Sequence, residues 1–136
     1  MPIVTDASVT LPWCLKDERS TYADRVLDVV VADAAIVPGL WLLEMANGLL
    51  VAERRGRITR AELVEVEGML LDLSISTNEL TLEHALQVVV NLAREQGLTA
   101  YDASYLDLAM REGLPLATQD DDLRAAAARV GVPLID

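Results

Sequence analysis

The chain reads as an α/β sandwich built on a short-stranded parallel sheet. Three observations point there. Short apolar runs alternate along the chain with longer segments of helical spacing. The runs are apolar at successive residues, which marks strands buried on both faces, and such strands belong to parallel sheets covered by helices. Glycines stand just past several helical segments, where helices commonly stop.

The elements follow in order. Pro2 to Thr5 is a short buried strand ending at Asp6. Val9 to Lys16 fits a short helix or turn. Ser20 to Val31 has helical spacing with Ser20 as its N-cap. Ala35 to Val37 is a second strand. Pro38-Gly39 leads into a helix from Leu40 to Arg54, ended by Gly56. Thr59 to Leu73 is another helix, with Thr59 and Glu62 spaced as a capping box. Ile75 to Thr77 is a third short strand. Helices follow at Leu82 to Gln96 and Ala100 to Glu112, stopped by Gly97 and Gly113. Leu114 to Thr118 is a strand, Asp121 to Val130 a helix stopped by Gly131, and Pro133 to Ile135 a last strand. There is no repeat, low-complexity stretch or linker, and 136 residues suit one domain, residues 1–136.

The totals narrow the class. Hydrophobic residues make up 52%, with 4% aromatics and no Phe, so aliphatic side chains fill the core. No apolar run approaches the ~18 residues of a membrane span, and no signal-peptide pattern opens the chain. Cys14 is the only cysteine and reads as a small buried residue. These features fit a cytoplasmic protein. A net charge of −11 excludes nucleic-acid binding by bulk attraction, but not binding through a local basic patch and a metal ion.

Against this background Asp6, Glu44, Asp102 and Asp120 stand out, each within or beside an apolar or small-residue segment. Burying an unpaired carboxylate is costly, and few basic residues lie nearby. A divalent cation is the natural counter-charge. Each acid taken singly has a plainer reading. Asp6 and Asp120 could cap the helices that follow, and Asp102 stands at capping-box spacing from Thr99.

Helical geometry bears on the choice. At about 100° per residue, Asp102 shares a face with Leu98, Leu106 and Ala109. Asp107 and Arg111 fall opposite, spaced as an exposed ion pair, so Asp107 reads as solvated and Asp102 as inward. Glu44 shares its face with Leu40, Trp41, Gly48 and Val51. In open parallel sheets ligands bind beyond the strands' carboxyl ends, and Asp6 and Asp120 both follow strands.

The segments Val4-Thr5-Asp6-Ala7-Ser8-Val9, Val37-Pro38 with Trp41, Glu44-Met45-Ala46-Asn47-Gly48-Leu49, Gly97 to Leu106, and Gly113 to Asp120 before Leu123 together span nearly the whole chain. In them the chain resembles the PIN-domain ribonucleases, and among these the VapC-type toxins of prokaryotic toxin–antitoxin pairs. The resemblance implies a three-layer α/β sandwich of PIN type, a Mg2+- or Mn2+-dependent endoribonuclease, and a homodimer held by an antitoxin. It implies that Asp6, Glu44, Asp102 and Asp120 are the metal and catalytic positions. Ser8, Thr118 and Asn47 match supporting polar positions.

The chemistry of the residues agrees. Hard oxygen ligands suit Mg2+ or Mn2+. His84 is the only histidine, so no two-histidine site exists, and it reads as a structural or surface residue without an evident partner. Metal-activated water is then the expected nucleophile. Arg54, Arg55 and Arg57, with Arg60, form the densest basic stretch and are candidates for RNA contact. The helix from Leu40 to Val51 is apolar almost all round, as a deeply buried or partner-covered helix would be. A phospho-receiver domain is a rival α/β reading, but Asp6 lacks an acidic neighbour and Lys16 is the only lysine. A catalytically silent PIN-like module that binds RNA or protein is the other alternative.

Overall fold

The computed structural model describes all 136 residues. Four parallel strands, β1 (Ile3–Thr5), β2 (Ala35–Pro38), β3 (Ile75–Asn78) and β4 (Leu116–Ala117), form one sheet in the order β3-β2-β1-β4. The helices are α1 (Ala7–Thr10), α2 (Thr21–Asp33), α3 (Leu40–Arg54), α4 (Arg60–Asp72), α5 (Leu82–His84), α6 (Val90–Gln96), α7 (Ala100–Glu112) and α8 (Asp121–Val130).

Alternation along the strands makes the layers. Ile3 and Ala117 face Ala23, Val26 and Val30 of α2. Val4 and Leu116 face the opposite way, into a core with Leu106 of α7 and Leu123 of α8. The result is the three-layer α/β sandwich expected from the short apolar runs.

Local chemistry sets the helix ends. Ser20 accepts the Ala23 N–H at 3.0 Å, and Thr59 and Glu62 complete a reciprocal capping box. Gly97 and Gly113 end α6 and α7 at φ +65°, a conformation without penalty only for glycine.

Some elements differ from expectation. Segment 9–16 is divided: α1 passes into a 3-10 turn at Leu11–Trp13, and a second turn covers Lys16–Glu18. The helix expected from Leu82 to Gln96 contains a π-helical stretch at Ala85–Val89 between α5 and α6. The last strand is reduced to one bridge, Leu134 beside Leu116. Pro133 offers only its carbonyl there, accepting the Leu116 N–H at 2.8 Å.

The largest correction concerns α7. Asp107 is not solvated; its side chain is only 4% exposed. Arg111 Nε donates to it at 2.8 Å, as the i,i+4 spacing implied, but His84 Nε2 also lies 2.9 Å away. The whole run Ala103 to Ala109 is buried because the 82–96 helix packs on the flank of α7 away from the sheet. A helix covered on both flanks has no solvent face along its middle, so the comparison of Asp102 with Asp107 fails. Helix α3 departs in the other direction. Leu42, Leu43 and Leu50 are exposed, so deep burial within this chain does not account for its apolar character.

The order β3-β2-β1-β4 puts a topological switch point between β1 and β4. The chain leaves β1 towards β2 on one side, while β4 lies on the other. A crevice at the carboxyl ends of these two strands is where such sheets bind ligands.

Candidate metal and catalytic site

Parallel pairing of Thr5 with Ala117 brings the next residues of both strands together. Asp6 leaves β1 there, and Thr118 leaves β4. Asp6 occupies the N-cap position of α1, yet its carboxylate makes no capping hydrogen bond. Both of its oxygens are used otherwise. Ser8 Oγ donates to Oδ1 at 2.6 Å, and Thr118 Oγ1 donates to Oδ2 at 2.6 Å. Asp6 is buried, and that burial raises its carboxyl pKa to about 6. The two hydroxyl hydrogen bonds oppose the rise, while the charges of Asp102 and Glu44 add to it.

Buried contacts hold α1 against α3. Trp41 Nε1 donates to Thr10 Oγ1 at 3.0 Å, and Thr10 Oγ1 lies 3.3 Å from the Asp6 carbonyl and 3.0 Å from Met45 Sδ. One turn of helix beyond Trp41, half-buried Glu44 accepts a short hydrogen bond from the Tyr105 hydroxyl. Burial and that bond to Glu44 raise the Tyr105 phenol well above the usual tyrosine range, and the charges of Glu44, Asp6 and Asp102 raise it further. Tyr105 therefore stays protonated and faces three of the four acids. Its only sequence signal is its place three residues after Asp102, on the same helical face.

Asp102 opens α7, where the Thr99 hydroxyl accepts its backbone N–H at 3.0 Å. Burial raises its pKa first, and the charges of Asp120 and then Asp122 add to this. Asp120 is the N-cap of α8, with Oδ1 accepting the Leu123 N–H at 2.8 Å. The capping reading is thus correct for Asp120 and incorrect for Asp6.

The charges of Asp102 and Glu44 thus reach Asp6, and that of Asp120 reaches Asp102. None of the four has a Lys, Arg or His partner among the salt bridges. No three of them are arranged to share an ion as they stand. The donor set itself suits a hard divalent cation: every ligand is oxygen, and no basic side chain competes.

Around this edge, Asn47 is exposed, three residues beyond Glu44 on α3. Arg57 is engaged elsewhere, donating to Asp17 at 2.8 and 3.0 Å and to Glu18 at 2.6 Å. Arg54 and Arg55 are exposed at the far end of α3, about 15 Å along the helix from Glu44. Cys14 is buried, with its thiol pushed up to about 11 by that burial, and it takes no part in the site. No helix is long and apolar enough to cross a membrane.

Comparison with known proteins gives a consistent result. The sequence model of the PIN domain matches residues 3–129. Ribonuclease VapC3 of Pyrobaculum aerophilum is 31% identical over 123 residues, which is 90% of this chain and 92% of that protein. Exonuclease VapC9 of the same organism is 36% identical over 86 residues, 63% of this chain and 62% of that one. The crystal structure of PAE2754 from Pyrobaculum aerophilum matches with a TM-score of 0.69 at 28% identity, covering 93% of this chain and 86% of the other.

Proposed function

This chain belongs to the PIN-domain family, on its VapC branch, and from that premise we propose that it is a divalent-cation-dependent endoribonuclease, the toxin of a type II toxin–antitoxin pair. Asp6, Glu44, Asp102 and Asp120 would hold Mg2+ or Mn2+. The observation that carries this reading is Asp6. It is a buried carboxylate with both oxygens accepting hydroxyl protons, facing two further acids and no base.

The chain's own groups divide the work. Ser8 and Thr118 fix the orientation of Asp6. Tyr105 holds Glu44 through its phenolic proton, and Thr99 anchors the backbone at Asp102. Asp120 uses Oδ1 as a cap, which leaves Oδ2 as the oxygen that would bind a cation or orient water. When bound, the cation supplies charge for the phosphate and lowers the pKa of water.

The partners follow from the exposed apolar side chains. Leu42, Leu43 and Leu50 of α3 and Leu71 of α4 are exposed, and a groove of about 570 Å3 between these helices is lined by Leu49, Leu50, Leu63 and Leu70. A cognate antitoxin and a second copy of the chain would cover this surface. Light scattering that reports a monomer would remove the dimer from the proposal.

The decisive experiment incubates purified chain with RNA and Mg2+ or Mn2+, and maps the ends. Internal cuts that vanish with chelator and in Asp6→Asn are expected. Trimming from a terminus would replace endonuclease with exonuclease, the activity named for VapC9. RNA left intact by the wild type under every metal condition would favour the silent binding module.

A further inference from the structure

The acidic site raises a question of approach. Phosphodiester backbone is repelled by the four carboxylates and by a chain of net charge −11. RNA needs a cationic surface beside the site. Of the 11 Lys and Arg residues, Lys16, Arg19, Arg57 and Arg111 sit in salt bridges and the others do not. Among those without a salt bridge, Arg25 and Arg124 meet at one place, the ring of Tyr22. Their guanidinium carbons lie 5.9 and 5.5 Å from the ring centroid of Tyr22. Tyr22 is itself anchored, its hydroxyl donating to the Ile135 carbonyl at 2.8 Å.

These three side chains border a cavity of about 430 Å3 with Thr118, Gln119 and Asp136. It is an open, polar depression, a shape that suits a backbone phosphate lying across it. The cavity adjoins the acidic site through Thr118 and Gln119. Arg124 Nη1 donates to the Thr118 carbonyl at 2.9 Å, while the Thr118 hydroxyl donates to Asp6. Gln119 ties the same loop to Ser8, donating its side-chain N–H to the Ser8 carbonyl at 2.8 Å. Acidic and cationic pockets are thus two faces of one loop.

We propose that the Tyr22–Arg25–Arg124 cavity is a phosphate-binding subsite that holds single-stranded RNA next to the bond to be cut. This inference rests on the ribonuclease reading. The cation–π contacts hold both guanidinium groups before RNA arrives, which lowers the ordering cost of binding. Arginine also offers a planar fork matched to phosphate oxygens. Asp136 opposes phosphate at the rim, so Asp136→Asn should tighten binding. The subsite shifts the RNA path away from Arg54 and Arg55.

The test uses the full chain carrying Asp6→Asn and follows binding of a labelled single-stranded RNA by fluorescence anisotropy across a salt series. Arg25 is exposed and makes no hydrogen bond, so Arg25→Gln should leave the melting temperature unchanged. It should weaken RNA binding and reduce the log–log salt slope by about 0.7, the value for one lost phosphate contact on a single strand. Arg54→Gln and Arg55→Gln should change neither. In the cleavage-competent background, Arg25→Gln should raise KM and leave kcat alone. If Arg25→Gln matches its parent in affinity and slope while the wild type still cuts RNA, the subsite is overturned and the ribonuclease reading stands. If the parent binds no RNA and the wild type cuts none, both are overturned together.

Discussion

Thr118 donates its hydroxyl proton to Asp6, the nearer of two acceptors within reach, since Ser8 Oγ lies farther off at 3.3 Å. Its hydroxyl oxygen accepts the backbone N–H of Asp120 at 3.1 Å, and its single proton is directed at Asp6 Oδ2, 2.6 Å away. Ser8 repeats the arrangement, accepting the Gln119 N–H at 2.8 Å and donating to Asp6 Oδ1 at 2.6 Å. Two fixed donors favour the ionised carboxylate, and burial opposes it. Burial prevails, which is why the Asp6 pKa rises to about 6.

Thr118→Val keeps the shape and removes the proton. The fold should lose roughly 1–2 kcal/mol, because two groups lose their partner in a buried site. Metal affinity or cleavage should fall about 10- to 100-fold, as for other groups that orient a metal ligand. Thr118→Ser should recover most of both. Thermal melts together with cleavage measured against Mg2+ concentration check this; full activity in Thr118→Val would detach Thr118 from the site.

Asp6 also predicts a pH dependence in chelator. Its folded pKa of about 6 lies above its ordinary value of 3.8. The stability linked to its protonated form is complete below about pH 4 and is lost as pH rises through about 6. The loss is on the order of 3 kcal/mol, the free-energy equivalent of that rise in pKa. Asp6→Asn cannot ionise, so it should melt at or above the wild-type temperature at pH 7 and lose that advantage near pH 4. Saturating Mg2+ or Mn2+ should raise the wild-type melting temperature and leave Asp6→Asn unmoved. A large destabilisation of Asp6→Asn at pH 7 would make Asp6 a structural residue.

Tyr105→Phe removes only the hydroxyl that Glu44 accepts. The ring stays packed, so the melting temperature should drop slightly, by about 1 kcal/mol equivalent. Cleavage should fall about 10-fold or more, because Glu44 loses the group that orients it. Kinetics over a Mg2+ series separate weaker metal binding from a slower step.

Asp102 and Asp107 should give opposite phenotypes. Asp107→Asn strips the charge that both His84 and Arg111 contact and should cost about 1–3 kcal/mol, because Asp107 is buried while Arg111 stays partly exposed and keeps its hydrogen bonds to Asn78. Its cleavage at low temperature should persist. Asp102→Asn should abolish cleavage and keep the fold. Melts and cleavage on both variants test the pair.

The caps at Ser20 and Thr59 and the glycine stops were legible because each is local. A cap or a left-handed glycine involves residues within one turn. The short strands were legible because burial on both faces leaves an unbroken apolar run. What escaped was non-local. The Tyr105–Glu44 contact joins residues 61 apart, and His84–Asp107 joins residues 23 apart. Periodicity tells which side chains share a face but not how many faces are covered, so Asp107 looked like an exposed half of an ion pair. The π-helical stretch has no comparable residue signature.

The hydrogen bond from Thr118 to Asp6 joins positions 112 apart. Strand β4, which delivers Thr118, is only two residues long and is held by β1 on one side and by Leu134 on the other. Synthesis proceeds from the N-terminus, so Asp6 emerges long before its partner exists. Until β4 docks, Asp6 lacks the Thr118 proton and Asp120 is not yet in place. A nascent chain on the ribosome would be harmless to the message it is being read from, and cutting power would arrive in one late event.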